Sequence, residues 1–132
     1  MRQETTDDCG LVVLNDADFE KACQYWKNAE GVALTIPRSV TPQTAEAMGQ
    51  YLLQKLPHNV AAGLLSDVAE RPGISARLLE EIFDRGDTAC KVSVCLRTDL
   101  SSNLEQKCNE SPIDDVREHW QSRVTRAAQQ KP

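Results

Sequence analysis

Two stretches of the chain, residues 68–82 (VAERPGISARLLEEI) and residues 94–108 (VCLRTDLSSNLEQKC), carry the same pattern of side chains at a spacing of 26 residues. Aligning them places these side chains opposite one another: Val68 with Val94, Arg71 with Arg97, Ile74 with Leu100, Ser75 with Ser101, Leu78 with Leu104 and Ile82 with Cys108. The match continues with residues 90–91 facing residues 116–117. Internal similarity at a period of about 20–50 residues is typical of helical arrays. The two stretches therefore predict stacked helical units.

The length and composition agree with this prediction. A chain of 132 residues is long enough for one domain with a core but not for two. Aromatic residues make up only 5% of it, so the core must consist mainly of smaller aliphatic side chains, which suit packed helices better than a β-sandwich. We predict an all-α, short helical-repeat (α-solenoid-like) single domain over residues 10–132, with the option of a small β element near the N-terminus. Residues 1–9 are expected to be a mobile acidic tail, and the repeat-like units to lie near 32–67, 68–93 and 94–120.

Capping residues predict where the helices begin and end. Expected helix starts are Asn15 or Asp16, Thr41-Pro42, Ser75, Asp87, Ser102 (in a capping box with Glu105) and Ser111-Pro112. Expected ends include Gly31, Pro57 and Gly86. Apolar side chains at helical spacing define the buried faces, among them Phe19, Ala22, Cys23 and Trp26 in the first helix and Ile113, Val116, Trp120, Val124 and Ala127 in the last.

The segment 32–36 (VALTI) is ambiguous. Alone, its β-branched residues favour a strand. Aligned with the repeat, residues 32–48 resemble the two later copies with a two-residue insertion, which places Val32 at a helix end and Pro37 in the following turn. We prefer the second interpretation.

The pattern Val-Ala-x-Arg-Pro-x-Ile-Ser-x-x-Leu-Leu-x-x-Ile from Val68, followed by Gly86-Asp87 and residues 91–94 (KVSV), resembles the leucine-rich variant repeat. That family is similar to HEAT and armadillo arrays. The resemblance is clearest over residues 68–117 and weaker over residues 32–48. It implies units that alternate an α-helix with a shorter, often 3₁₀, helix in a curved solenoid whose surface binds other molecules. This chain departs from the family in a longer unit and in lacking Asn-Pro at the turn, where it has Arg71-Pro72 and Thr98-Asp99.

The charge balance limits the classes of partner. The net charge is −5, which argues against direct binding of nucleic acid and is compatible with a basic protein. No apolar run approaches the roughly 20 residues that a membrane span needs. The first eight residues contain no apolar segment typical of a secretory signal. We therefore expect a cytoplasmic protein that does not contact the membrane.

The five cysteines lack the spacing of a disulfide framework, which fits reduced thiols. Cys90, Cys95 and Cys108, with His119, superficially resemble a Cys₃His metal site. In the repeat, however, these cysteines occupy the positions of Val116, Ala69 and Ile82, which are apolar. Because a free cysteine behaves as a small buried hydrophobe, we favour core positions and keep a metal or thiol-redox protein as the alternative.

No catalytic constellation is present in the sequence. His58 and His119 are the only histidines, and neither lies in a known nucleophile motif. The chain has no glycine-rich phosphate loop and no zinc-protease or EF-hand motif. We expect no catalytic residue, no cofactor-binding residue, no resident metal and hence a protein that is not an enzyme.

Acidic side chains are the remaining candidate feature. We predict that the partner-binding residues are the carboxylates Glu80, Glu81, Asp84, Asp87, Asp114 and Asp115, although carboxylates at a helix start or on a solvated face have ordinary structural roles. A further acidic group comprises residues 7–8, Asp16, Asp18 and Glu20. The predicted function is a small acidic inhibitor of the immunity type that neutralises a basic toxin or enzyme. A secretion chaperone or adaptor is the alternative.

Overall fold

The computed structural model describes residues 7–8, 12–28 and 34–129 of the chain. Within those residues it contains seven α-helices: α1 (Asp16–Asn28), α2 (Pro42–Leu53), α3 (Asn59–Ala69), α4 (Ala76–Arg85), α5 (Thr88–Cys95), α6 (Ser102–Asn109) and α7 (Asp114–Gln129). Two short strands, β1 (Asp7–Asp8) and β2 (Leu34–Thr35), pair in parallel with Asp7 opposite Leu34. The predicted all-α fold class is confirmed. No helix among the described residues is both long and apolar enough to cross a bilayer.

Three helices pack in succession, and the remaining helices pack against them. Helix α3 packs against α5 and α5 packs against α7, so these three helices form a row. Helices α2 and α4 pack against each other and against α3 and α5 respectively, while α6 packs against α5 and α7. Helix α1 contacts α3. A single cluster of buried side chains joins all of these elements, from Val13 and Ala22 to Val116 and Trp120.

The spacing of 26 residues reappears in the helices. Helices α4 and α6 begin at residues 76 and 102, and α5 and α7 begin at residues 88 and 114. Ser75 and Ser101 cap α4 and α6 in the same way, each accepting a hydrogen bond from the backbone N–H three residues on, that of Leu78 or Leu104. Every helix that the structure describes is α-helical, so the 3₁₀ helices implied by the family resemblance do not occur in this part of the chain.

Two arginines at equivalent repeat positions tie successive segments together. Arg71 donates to the carbonyl oxygens of Ile36 at 2.6 Å and Pro37 at 3.1 Å, and pairs with Asp67 at 2.8 Å. Arg97 donates to the carbonyl oxygens of Ala69 at 2.8 Å and of Arg71 at 2.7 Å. Each guanidinium therefore satisfies main-chain oxygens of the segment before it, which explains why both copies of the repeat carry arginine here.

The N-terminal region differs in part from the preferred sequence interpretation. Leu34 and Thr35 form a strand, which agrees with the other interpretation of this segment, whereas Val32, which the preferred interpretation places at a helix end, lies outside the described residues. Pro37 lies in a turn, as the preferred interpretation predicted, because its carbonyl oxygen accepts from the Val40 N–H at 3.1 Å. The chain enters an extended conformation at β2 because Asp67 accepts a hydrogen bond from the Ile36 N–H at 2.8 Å, and β1 pairs alongside. Asp7 and Asp8, assigned to a mobile tail, form β1, whereas residues 1–6 and 9–11 and the predicted helix end at Gly31 lie outside the described residues.

Two details of the last helices also differ. Ser101 rather than Ser102 caps α6, so the expected capping box with Glu105 does not form. Helix α7 begins at Asp114, because Ser111 accepts from the Ile113 N–H at 3.2 Å in a turn that precedes the helix. Val116 and Trp120 are buried as expected, but Val124 is 42% exposed. The predicted starts at Thr41, Ser75 and Asp87 are confirmed.

Replacing a glycine by alanine is expected to have opposite effects on stability at two positions. Gly63 lies inside α3, where a Cβ would meet no atom within 4 Å, so Gly63→Ala is expected to stabilise the fold by about 0.5–1 kcal/mol through reduced backbone entropy. Gly73 has a φ of +78° and its Cβ would lie 2.8 Å from the ring of Pro42, so Gly73→Ala is expected to destabilise by about 1–2 kcal/mol. Urea unfolding followed by circular dichroism measures both changes. Equal effects of the two substitutions would contradict this assignment.

Candidate functional site

Three of the predicted binding carboxylates lie on α4, and two of these have basic partners. Asp84 accepts from the Lys107 ammonium of α6 at 2.9 and 3.3 Å. Glu81 lies 3.9 Å from Arg77 and 3.5 Å from Arg85, one turn away on either side. Glu80 is half-buried and has no basic partner among the described residues. The α4 carboxylates are therefore partly neutralised within the domain.

The other three predicted carboxylates lie at the starts of α5 and α7. Asp87 caps α5 by accepting from the Cys90 N–H at 3.0 Å. Asp114 pairs with Arg117 at 2.6 Å. The side chain of Asp115 is exposed in the first turn of α7 and has no basic partner among the described residues. The structure thus distributes the six predicted residues over three helices, where several of them have structural roles.

Three further exposed carboxylates, which the sequence did not predict as binding residues, lie on α6 and α7 and at the end of α3. Glu70 ends α3, Glu105 lies in the first turn of α6, and Glu118 lies one turn after Asp115 on α7. Within the described residues none of the three has a basic partner. Sequence could have indicated the exposure of Glu70 and Glu118, because these two fall opposite the apolar stripe of their helices, but it could not show which carboxylates lack a cation.

The N-terminal acidic group is also partly neutralised. Asp16 accepts a 2.6 Å hydrogen bond from the Tyr51 hydroxyl and pairs with Lys55 at 2.9 Å, which links α1 to the end of α2. The Tyr51 hydrogen bond and the Lys55 charge together hold the pKa of Asp16 below its ordinary value. Asp18 accepts from the Leu14 N–H at 3.1 Å, and these contacts organise the start of α1.

The core position of the cysteines is confirmed, but the prediction of reduced thiols is wrong for two of them. Cys90, Cys95 and Cys108 are fully buried, as the repeat positions predicted. Cys95 and Cys108 form a disulfide that joins the end of α5 to α6. Burial raises the pKa of the Cys90 thiol to about 12, and its Sγ donates to the Ala62 carbonyl at 3.3 Å. With two cysteines oxidised and the third held protonated, the three do not form a metal-binding set, and the described residues contain no other such group.

The two histidines have structural roles in the described part of the chain. Val60 N–H donates to Nδ1 of His58 at 3.1 Å, so this ring caps α3 and its proton is assigned to Nε2. That protonated nitrogen faces the sulfur of Cys23 at 3.9 Å, so it has no free lone pair with which to accept the thiol proton. Burial, and then the charge of Glu20, raises the pKa of Cys23. This geometry opposes formation of a Cys–His ion pair. His119 contacts the Asp115 carbonyl at 2.7 Å.

The thiols of Cys23 and Cys90 are expected to differ in reactivity. Cys23 is half-buried, whereas Cys90 is fully buried with a pKa near 12, so iodoacetamide at pH about 8 should modify Cys23 far faster in the folded protein. Peptide mapping by mass spectrometry after a short exposure measures both sites. In urea the two rates should become similar, and rapid modification of folded Cys90 would contradict its placement.

Comparisons of the chain with known protein families, with curated proteins and with solved structures found no match.

Proposed function

We propose that this protein is a non-enzymatic binding module that recognises a basic protein, and that it acts as a small acidic inhibitor of the immunity type. The supporting observation is how the domain uses its basic side chains. Five of them donate to main-chain carbonyl oxygens inside the domain: Arg71, Arg85, Lys91, Arg97 and Arg117. These cations stabilise segment ends, and the four arginines among them also pair with a nearby carboxylate.

The chain has a net charge of −5, and part of this acidic excess lies on the exposed surface. Exposed carboxylates on several helices have no basic partner among the described residues, as Glu70, Glu105, Asp115 and Glu118 illustrate. Such a surface attracts a positively charged protein over distances of about a Debye length, roughly 8 Å at physiological ionic strength. Complementary charge accelerates association and disfavours acidic competitors. The leucine-rich variant resemblance supports the same proposal, since such arrays bind through exposed helical surfaces.

The alternative of a thiol-redox or metal protein receives less support. Both sulfurs of the Cys95–Cys108 disulfide belong to fully buried residues, which hinders attack by an external thiolate. Disulfides persist mainly in oxidising compartments, so this pair also weighs against the cytoplasmic location expected from the sequence.

Affinity capture tests the proposal. The tagged full-length protein is exposed to a lysate of the native host at low salt, washed, and eluted at high salt, and the eluate is identified by mass spectrometry. We expect one basic protein in an amount comparable to that of the bait, released by salt. A charge-reversed bait carrying Asp115→Lys and Glu118→Lys serves as a control for electrostatic binding. Absence of any such protein from the eluate would contradict the proposal.

The activity of the captured protein separates the inhibitor from the chaperone or adaptor. An inhibitor should abolish the partner's activity when added in equimolar amount. A chaperone should leave the released partner active and improve its recovery after unfolding. Activity that is unchanged in the complex would contradict the immunity-type form of the proposal.

A further inference from the structure

A shallow depression, open to solvent, lies where α3 and α5 end. Its volume is about 320 Å³, at the lower limit of ligand-binding pockets, which suits one long side chain better than a cofactor. We call it the α3–α5 pocket, and its lining residues are Glu70, Pro72, Leu96, Arg97, Thr98 and Asp99. Glu70 and Leu96 occupy equivalent positions, because each follows directly after its helix and the two are 26 residues apart. The repeat therefore places a carboxylate beside an exposed leucine.

The Glu70 carboxylate is oriented by two hydroxyl groups. Ser93 donates to one carboxylate oxygen of Glu70 at 3.0 Å. The hydroxyls of Ser66 and Ser93 are 2.6 Å apart, and because the Ser93 proton is directed to Glu70, Ser66 is the donor of this second bond. Ser93 is only 5% exposed, which fixes the position of this chain of hydrogen bonds. The second carboxylate oxygen has no hydrogen-bond partner among the described residues.

The positive charge of Arg97 does not cancel the negative charge of Glu70. The Arg97 side chain is only 8% exposed and is directed into the domain, where it donates to two carbonyl oxygens. Its Nε and Nη2 donate to the two carboxylate oxygens of Asp99 at 2.8 and 2.7 Å, and this pairing lowers the pKa of Asp99 below its ordinary value. Arg97 and Asp99 thus neutralise each other, and Glu70 supplies the net negative charge of the pocket.

The apolar wall and the carboxylate of the pocket together favour a basic occupant over an acidic or an apolar one. Leu96 is 48% exposed and provides an apolar wall. A purely apolar occupant would remove water from Glu70 without giving it a partner, and an acidic occupant would be repelled. Lysine and arginine suit both Leu96 and Glu70, since their alkyl stems pack on apolar surface while the charged end reaches a carboxylate. We propose that the α3–α5 pocket receives a lysine or arginine side chain of the basic protein partner, an inference that rests on the proposed function.

Nuclear magnetic resonance of the ¹⁵N-labelled full chain tests this pocket without the partner. The probes are the blocked tripeptide acetyl-Gly-Arg-Gly-amide and the same peptide with norleucine in place of arginine. We expect the arginine peptide to shift the backbone amides of Glu70 and of residues 96–99, and the norleucine peptide to have little effect. Shifts spread evenly over the surface, or equal shifts from the two peptides, would overturn the proposal.

Matched variants refine the test. Glu70→Gln retains a carbonyl oxygen for Ser93 and removes the negative charge. It is therefore expected to raise the Kd of the arginine peptide about tenfold. Glu20→Gln, the same change at an exposed position of α1, should leave the affinity unchanged. Circular dichroism verifies that both variants fold. Equal affinity of Glu70→Gln and the unsubstituted protein would overturn the proposal.

The captured partner distinguishes this inference from the proposed function. If a basic protein binds equally well to the unsubstituted protein and to Glu70→Gln, the pocket assignment fails and the binding function stands. If no protein is captured while the arginine peptide still binds at the α3–α5 pocket, the proposed function fails and the pocket assignment stands.

Discussion

Replacing Cys95 and Cys108 together by alanine is expected to lower the free energy of unfolding by about 3 kcal/mol, the typical contribution of a disulfide that closes a loop of this size. The two cysteines are 13 residues apart and join α5 to α6 in the core. Without the bond the unfolded chain gains conformational freedom, and the two fully buried positions lose packing as well. Urea unfolding under non-reducing conditions, monitored by circular dichroism, measures the difference.

The redox state and a matched cysteine provide the controls. A reductant should destabilise the unsubstituted protein by a comparable amount and should leave the double variant unchanged. Cys23→Ala, at a half-buried free cysteine, should have a much smaller effect. Recovery of Cys95 and Cys108 as separately alkylated peptides from the non-reduced protein would contradict the disulfide.

Arg97→Met is expected to destabilise the fold by about 3 kcal/mol, because it removes the Arg97 donor from the part-buried carbonyl oxygens of Ala69 and Arg71 while retaining a long apolar side chain. The Arg97 side chain is only 8% exposed, so water replaces these bonds poorly. Arg77→Met is the matched control, since the Arg77 side chain is 92% exposed and its loss should change stability by less than about 0.5 kcal/mol. Similar stability of the two variants would contradict the role assigned to Arg97.

The pH dependence of the free energy of unfolding gives a second test of the role of Arg97. The Arg97 hydrogen bonds depress the pKa of Asp99 in the folded state, so the stabilisation from this pair is present above the unfolded-state pKa of aspartate, about 4. It is lost as the pH falls below that value and Asp99 becomes protonated. The unsubstituted protein should therefore lose more stability than Arg97→Met between pH about 5 and about 2. Parallel stability curves would indicate that the pair contributes nothing.

Much of the helical architecture follows from local chemistry and could be predicted. Thr41, Ser75 and Asp87 begin their helices because short polar side chains accept the first unpaired N–H groups. The repeat also predicted that Cys90, Cys95 and Cys108 are buried, since its other copies have apolar residues there. It would have corrected the α6 cap too, because Ser101 aligns with Ser75 whereas Ser102 does not.

Ambiguity and error arise where distant parts of the chain decide the outcome. Leu34 and Thr35 form a strand because β1 and Asp67 provide partners from elsewhere in the sequence. Val124 has the helical spacing of a core residue but is 42% exposed, because spacing alone does not determine which turns of a helix have neighbours. The Cys95–Cys108 disulfide depends on how α5 and α6 meet, which spacing alone does not specify.

The candidate site shows the same division between local and distant effects. The sequence identified a set of carboxylates but not which of them have basic partners, since Asp84 meets Lys107 on another helix. The α3–α5 pocket was missed because Glu70 and Leu96 are far apart in sequence and differ in type. The repeat spacing contained the signal, because both residues directly follow their helices at a separation of 26 residues.

The dependence of the partner's Kd on salt concentration tests the central claim most directly, namely that this acidic domain binds a basic protein through complementary charge. The captured partner is purified and titrated against the full-length protein by calorimetry over a series of sodium chloride concentrations. We predict that the Kd rises steadily with salt and that the association rate falls with it. A Kd that does not change with salt, or a partner with an acidic surface, would contradict the claim.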